Sequence, residues 1–364
     1  MDKQAEMTTF QALSIGILPQ ISVIIVNYNG WADLQRCLPS VLASLPENSE
    51  VIVVDNCSSD GSAGLIEREF PAVRLISNHD NNGFGSGNNI GVSYSTGEYL
   101  IFLNPDTIVA PGWVEAMLHE LEADPANGLV TAKILLLDEP QKVNTCGNKI
   151  HLTGITLCRG VGQTSNDFEQ TEEVGAVSGA AFAMRRRVFE EIQGFDDTLF
   201  MYMDDTDLSW RARLAGYRCL LAPASVVYHD YRLYFGPLKT FYQERNRYVM
   251  LLKSLHWRTL LLLLPALLFA EMITWGFVLV RQKHNRSNKL RAYWWIVEHW
   301  KEIMTGRQST QASRKLRDRE LLASCQYELE FEQTGSSLVT RLAHLVFDPF
   351  FFLYQRLLLF IIRW

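Results

Sequence analysis

The sequence predicts an α/β protein, a doubly wound and mainly parallel sheet followed by a helical, membrane-associating C-terminal region. Three observations carry that prediction. Short runs of β-branched residues alternate with helical periodicity between residues 21 and 123, the pattern of βαβ units. Several of these runs finish in acidic residues, which places carboxylates at the carboxyl edge of the sheet, where open α/β sheets bind ligands. The charge then changes sign along the chain: residues 1–255 carry 19 Lys/Arg and 31 Asp/Glu, and residues 256–364 carry 15 and 9.

With 364 residues, 48% of them hydrophobic, the chain has material for a large domain and an appendage, and global disorder is excluded. The expected division is a loosely ordered lead-in at 1–20, a sheet domain at 21–255 and a helical region at 256–364. Ile21–Val26 reads as a buried strand, and Trp31–Leu45 as a helix with apolar residues at 34, 38, 41, 42 and 45. Val51–Val54 is the next strand. A helix runs from Asp60 to Phe70 and stops at Pro71. Val73–Ser77 is a third strand. The Gly/Asn-rich stretch Asn78–Gly91 reads as a loop leading into a small helix. Tyr99–Leu103 is a fourth strand, and Pro111–Ala123 a helix with Pro in its first turn. Strands are expected at Val130–Leu137 and Val174–Met184, with 155–175 a polar loop over the sheet. Arg185–Ile192 and Leu208–Ala215 read as short helices, the second followed by Gly216 where a left-handed cap is wanted. Arg218–Val227 is the last strand.

The rear of the chain is different. Thr259–Val280 holds one charge, Glu271, and is long enough to cross a bilayer. A mid-span carboxylate is costly, so an in-plane or buried helix stays open. Residues 281–319 carry 11 Lys/Arg against 3 Asp/Glu, a bias expected on the cytoplasmic side. Phe347–Trp364 interleaves aromatics with Arg356 and Arg363 and reads as an interfacial helix. The six cysteines form no CxxC pair, as in a reducing compartment. No basic, then apolar, stretch opens the chain, so the acidic part is expected in the cytosol, with an anionic membrane surface as partner and no nucleic acid.

Five groups of residues could carry chemistry. Asn27-Tyr28-Asn29 follows the first strand, and Asp55 the second. A carboxylate there can accept hydrogen bonds from a base or ribose; it can equally cap a turn. Asn82-Gly83-Phe84-Gly85-Ser86-Gly87-Asn88-Asn89 lets backbone approach a ligand closely, or is merely a flexible loop. In Asn104-Pro105-Asp106 a carboxylate stiffened by Pro offers an oxygen ligand to Mg²⁺ or Mn²⁺, ions that take few protein groups plus ligand phosphates. Asp204-Asp205-Thr206-Asp207 supplies more carboxylates than a helix cap needs. His229 could bind metal or diphosphate, or be structural. Unpaired carboxylates on one edge repel one another, so a cation or a ligand donor is expected among them.

Taken together, Val26–Asn29, Val53–Ser62, Asn82–Asn89, Phe102–Asp106, Gly194–Arg211 and Ala215–Tyr217, in this order, resemble a family 2 glycosyltransferase of the GT-A fold, a Rossmann-like sheet, and within it the rhamnosyltransferase-type branch. Leu199 stands where another aromatic is common. The resemblance implies that Asp205 is the general base and that Asp106 and His229 hold Mg²⁺ or Mn²⁺. Asn104 replaces the first acid of the metal motif. It further implies that Asn27, Tyr28, Asp55, Gly83, Asn88 and Asn104 line the nucleotide-sugar site. Asp204, Asp207 and Arg211 then lie on the acceptor side or support it. Arg245-Asn-Arg247-Tyr248 matches a helix common after the core in this branch. The QxxRW motif of processive synthases is absent. The implied activity is inverting, non-processive transfer from a nucleotide diphosphate sugar to a glycan or lipid-linked glycan in cell-surface polysaccharide synthesis. The rivals are a nucleotidyltransferase, disfavoured because no basic triphosphate loop follows the first strand, and an inactive sugar-binding scaffold, disfavoured because the acidic positions are all filled.

Overall fold

The computed structural model of the protein describes residues 21–231, 237–281, 285–329 and 338–364; the expected lead-in at 1–20 lies outside them. Strands β1 (Ile21–Asn27), β2 (Ser49–Asp55), β3 (Arg74–Ser77) and β4 (Tyr99–Leu103) are parallel, in the order β3-β2-β1-β4. Helices α1 (Trp31–Ser44), α2 (Ser62–Glu69) and α3 (Gly83–Ser93) connect them. Then come β5 (Thr107–Val109), α4 (Trp113–Glu122) and the long β6 (Asn127–Leu136). Four short strands follow: β7 (Val143–Thr145), β8 (Asn148–Ile150), β9 (Thr156–Cys158) and β10 (Glu172–Glu173). Strand β11 (Ala181–Arg185), helices α5 (Arg186–Glu191) and α6 (Asp204–Leu214) and strand β12 (Arg218–His229) complete the sheet region.

The sheet continues past β4 through β11, β6, β12 and β10. Strand β11 is antiparallel to both β4 and β6, whereas β12 is parallel to β6. The sheet is therefore mixed but mainly parallel. The β-branched runs are buried on both faces, as parallel strands require. Val23 and Ile25 pack with α1 and α4 on one face. Ile24 and Phe102 pack with α3 and α6 on the other.

Three expectations are corrected. The strand expected over 174–184 begins only at Ala181; residues before it run beside β8, where Asn148 and Ala176 exchange backbone hydrogen bonds of 2.7 and 3.1 Å. The polar stretch 155–175 is more than a loop, since it contains β9, β10 and a 3₁₀ turn at Ser165–Asp167. The Gly/Asn-rich stretch is mostly helix. Its glycines serve contact, because a Cβ on Gly91 would lie 2.4 Å from Ile24 Cγ2 and one on Gly87 2.8 Å from Val26 Cγ1. Glycine at that i, i+4 spacing lets α3 lie directly on β1.

Behind the sheet lie α7 (Pro237–Ser254), α8 (Trp257–Arg281), α9 (Arg286–Glu298), α10 (Trp300–Ala312), α11 (Asp318–Ala323) and α12 (Leu338–Ile361). Their apolar core includes Met250, Leu263, Leu321 and Phe351, and it takes in Trp210 and Leu214 of α6. The carbonyls at the end of α7 are capped from α10 and beyond: Gln311 donates to Lys253 and Ser254, and Arg307 to Leu252 and Leu255.

Gly91→Ala should destabilise the fold by about 1–3 kcal/mol, the range for overpacking. Gly64→Ala on α2, where a Cβ meets nothing within 4 Å, should stabilise it by up to roughly 1 kcal/mol. Urea denaturation of both variants checks the pair, and equal midpoints would refute the packing role of Gly91.

Candidate active site

The carboxyl edge begins with Asn27 and Asp55, paired in register at the ends of β1 and β2. Asp55 is buried with both oxygens occupied. Asn27 Nδ2 donates to Oδ1 at 2.7 Å, and the Ser58 backbone N–H donates to Oδ2 at 2.9 Å. This acid needs no cation. Tyr28, one residue past β1, is 54% exposed and offers a ring face to a planar ligand. Asn56, which the motifs did not single out, is buried and donates to the Gly83 carbonyl at 2.9 Å, joining β2 to α3.

Gly83 and Asn88 turn away from solvent. Gly83 has φ +80° and a Cβ there would sit 2.0 Å from the Phe200 carbonyl oxygen. Asn88 is buried and donates to the Phe84 carbonyl of its own helix at 3.0 Å. The structure thus brings Asn27, Tyr28 and Asp55 to the edge, with Gly83 and Asn88 packed behind it.

Past β4, the Asn104 N–H donates to the Ala180 carbonyl at 2.9 Å, and the Thr107 hydroxyl donates to the Asn104 carbonyl at 2.7 Å. The turn aims Asp106 at the end of β12, where Oδ1 lies 3.2 Å from His229 Nε2. Across the ring, His229 Nδ1 lies 2.9 Å from Asn144 Oδ1. That amide oxygen can only accept, so Nδ1 donates to it, and the ring's Nε2 is the atom that faces Asp106. Asp106 Oδ1, buried and without a hydrogen bond, faces it. With Nε2 unprotonated, the two atoms at that distance would fit a divalent cation, and the Asn144 amide fixes the imidazole from its other side. No group of three or more His, Cys, Asp or Glu side chains is placed to hold a metal ion among the described residues. A cation here would draw its remaining ligands from substrate and water.

Helix α6 starts four residues earlier than expected, so the acidic cluster is its first turn. Asp205 lies partly buried. Its Oδ2 accepts from the Gly179 N–H at 2.8 Å and from Asn148 Nδ2 at 3.3 Å; its Oδ1 accepts from the Thr206 N–H at 2.7 Å. Burial raises its pKa, and the N–H groups of Gly179 and Thr206 oppose the rise. Asp204 is buried and its pKa is raised well above the carboxylate range, by desolvation first and then by the charge of Asp205. Asp207 and Arg211 are internal. Arg211 Nε donates to Asp207 at 2.7 Å, and its Nη1 donates to the Gly194 carbonyl at 2.7 Å. Lys253 of α7 lies 2.9 Å from Asp207 and also pairs with Asp196. Both residues support the site without facing a substrate.

The loop before α6 is strained. Phe200, Tyr202 and Met203 have φ of 66°, 64° and 64°. The left-handed region costs a non-glycine residue about 1–2 kcal/mol, and such strain collects at functional sites.

Residues 22–193 match the family model for glycosyl transferase family 2. The chain therefore carries a glycosyltransferase family 2 domain over that segment. The enzyme is 28% identical over 231 residues to the N-acetylglucosaminyl-diphospho-decaprenol L-rhamnosyltransferase of Mycobacterium tuberculosis, covering 57% of this chain and 75% of that one. It is 28% identical over 217 residues to the pre-mycofactocin glycosyltransferase of the same organism, covering 58% and 43%. Among solved structures, GalNAc-T7 with UDP, GalNAc and Mn²⁺ superposes with a TM-score of 0.56 at 20% identity, over 65% of this chain and 48% of that one. The Staphylococcus aureus TarS fragment 1–349 with UDP-GlcNAc gives 0.53 at 18% identity, over 84% of each. The enzyme has the GT-A fold that the motifs implied.

Arg211→Met should cost roughly 3–5 kcal/mol of stability, because it leaves a buried carboxylate short of a partner. Thermal or urea melts measure this. A loss below about 1 kcal/mol, within the reach of an ordinary surface substitution, would show that the ion pair is not the fastening described.

Proposed function

We propose that the enzyme is an inverting, non-processive glycosyltransferase that moves a sugar, rhamnose in our reading, from a nucleotide diphosphate donor to a lipid-linked glycan at the cytoplasmic face of the cell membrane. One observation carries the proposal. The turn just before β11 that accepts from Asn104 at Ala180 also donates from Gly179 to Asp205, so a carboxylate of raised pKa stands beside the Asn104–Asp106 turn. In this reading Asn27, Tyr28 and Asp55 receive the nucleoside, with Asn104 at the sugar-diphosphate. Gly83 and Asn88 shape the site from behind. Asp106 and His229 would hold Mg²⁺ or Mn²⁺, which supplies positive charge to the leaving diphosphate when bound.

Asp205 acts on the acceptor. Its carboxylate takes the hydroxyl proton as the oxygen attacks the anomeric carbon. The carbon–oxygen bond to the diphosphate breaks on the opposite face, so the configuration inverts. A base with a raised pKa binds the proton more readily than an ordinary carboxylate. Burial raises the pKa of Asp204, which disfavours a second charge beside it. The rhamnosyltransferase relative supports the donor and acceptor classes. The missing QxxRW motif supports addition of single sugars.

The rear helices support membrane attachment in the plane. Two helices, α8 and α12, contain apolar stretches of 23 and 18 residues. On α8 the exposed residues Leu261, Leu264, Leu268, Met272 and Leu279 recur every three to seven positions, a single stripe. Glu271 sits at the edge of that stripe, three residues after Leu268, and its carboxylate turns into a cluster with Arg247 and Lys289. A spanning α8 would carry those charges into hydrocarbon, which is costly. An in-plane helix leaves them on the protein side, and the basic excess of the region complements an anionic surface.

Asp205→Asn should lower turnover by about 10²–10⁴-fold, the usual worth of a general base, with donor binding little changed. The rate should fall on the acid side of neutral, at a pH above the ordinary carboxylate range of about 4. A panel of UDP-, GDP- and dTDP-sugars, dTDP-rhamnose included, assayed for nucleotide diphosphate release identifies the donor; activity of Asp205→Asn within threefold of wild type would remove the base assignment.

Asp106→Ala should abolish Mn²⁺-dependent turnover and His229→Ala should weaken it less. Full activity after EDTA treatment would refute the metal reading.

The full chain should stay bound to anionic lipid vesicles in 1 M NaCl, because salt screens charge and leaves apolar contacts intact. Leu264→Glu with Leu268→Glu should release it. Recovery of the unaltered chain in the soluble fraction without detergent would refute membrane attachment.

A further inference from the structure

The loop that delivers Asp205 has no regular secondary structure between Gly194 and Met203, yet its carbonyls are all occupied where the strain lies. Arg245 Nη2 donates to the Thr198 carbonyl at 2.8 Å and also to that of Leu199. The Phe84 N–H, at the start of α3, donates to the Phe200 carbonyl at 2.7 Å. Asn246 Nδ2 lies 3.0, 3.0 and 2.7 Å from the carbonyls of Leu199, Met201 and Tyr202. Five consecutive carbonyls are therefore met from outside the loop, four of them by two adjacent residues of α7.

The clamp is itself fixed. Arg245 Nε donates to Asn246 Oδ1 at 2.7 Å, which turns the amide so that its NH₂ faces the loop. The guanidinium stacks on Trp295 of α9 and on Tyr242, at 4.3 and 4.8 Å from the ring centroids. Asn246 is fully buried. A buried amide donor surrounded by three carbonyls has no other partner to choose, and left-handed residues stay left-handed only where their surroundings hold them.

We propose that Arg245 and Asn246 are positioning residues, which hold residues 198–203 in the left-handed path that sets Asp205 against Gly179. The proposal rests on Asp205 as the base. It extends that reading by assigning the α7 helix, outside the acidic edge, to the catalytic geometry. Positioning of this kind acts on the rate of the chemical step, since displacing a reacting group by about 1 Å costs on the order of 10²-fold.

The test uses the full chain and the panel sugar with the highest turnover, with Asp205→Asn run beside it. Asn246→Asp keeps the size of the side chain and points a carboxylate at three carbonyls. It should lower kcat about 10²-fold, with donor KM within twofold and one donor bound per chain. Hydrogen exchange should quicken at residues 199–205 and stay unchanged in β1 and β4. Arg245→Lys, which retains a cation able to reach fewer carbonyls, should lose about tenfold in kcat and so lie between wild type and Arg245→Met. A kcat of Asn246→Asp within threefold of wild type, while Asp205→Asn is inactive, overturns the proposal and leaves the base assignment standing. An active Asp205→Asn overturns that assignment instead. If Asn246→Asp binds less than one donor per chain, Arg245→Lys decides by the same two readings; loss of donor binding there as well overturns the proposal, because both residues would then be general scaffold.

Discussion

Asp207 is a carboxylate with no access to water, and the geometry of the site depends on how it is neutralised. A buried acid needs its countercharge in place. Arg211, one turn along α6, supplies one cation and Lys253 of α7 supplies the other. Neither is spent on Asp207 alone. Arg211 also donates to the carbonyls of Ile192 and Gly194, and Lys253 also pairs with Asp196. Burial alone would raise the pKa of Asp196, yet the charge of Lys253 brings it below the usual range. One buried charge thus joins the end of α5, the loop at 194–203, the start of α6 and the helix α7. None of the four can move without exposing an unpaired ion.

The three acids of Asp204-Asp205-Thr206-Asp207 show how environment assigns roles to identical side chains. Asp207 has two cations within hydrogen-bond reach. Asp204 is buried without any, and desolvation raises its pKa. Asp205 is partly buried and receives neutral N–H donors from Gly179, Thr206 and Asn148. Those donors stabilise its charge without cancelling it. An acid held by dipoles, in place of counterions, keeps its appetite for a proton while staying oriented. That is the condition a general base requires.

The parallel half of the sheet was legible in the sequence because both faces of its strands are buried, so Ile21–Val26, Val51–Val54 and Tyr99–Leu103 stand out as continuous apolar runs. A small helix was expected after the Gly/Asn-rich stretch, but the start of α3 at Gly83 was not legible, because glycines at 83, 87 and 91 are poor helix formers. Only the three-dimensional approach to Ile24 and Val26 gives them meaning. The start of α6 was missed because its apolar periodicity begins at Leu208, four residues inside the helix. The motifs marked Asp55, Asp106, Asp205 and His229, since a residue type at a strand end or helix start is a local signal. Asn144, Asn148 and Lys253 carry no such signal. Each acts on a partner at least 57 residues away in the chain, a separation that no local pattern encodes.

Glu271 shows the same gap between composition and structure. Read along the chain, it is a lone charge inside an apolar stretch. In the fold its carboxylate faces Arg247, Lys289, Tyr248 and Tyr293. Arg247 follows Asn246, whose amide holds the carbonyls of the strained loop. The polar side of α8 is therefore joined through α7 to the residues that precede Asp205. Bordering Glu271 on α8 is the leucine stripe proposed to face the membrane, with Leu268 three residues before it. In the proposed attachment a single helix carries both contacts, and its orientation on a lipid surface would fix the direction in which the carboxyl edge of the sheet faces. For an acceptor whose glycan is tethered to that surface, this direction decides whether its hydroxyl can reach Asp205.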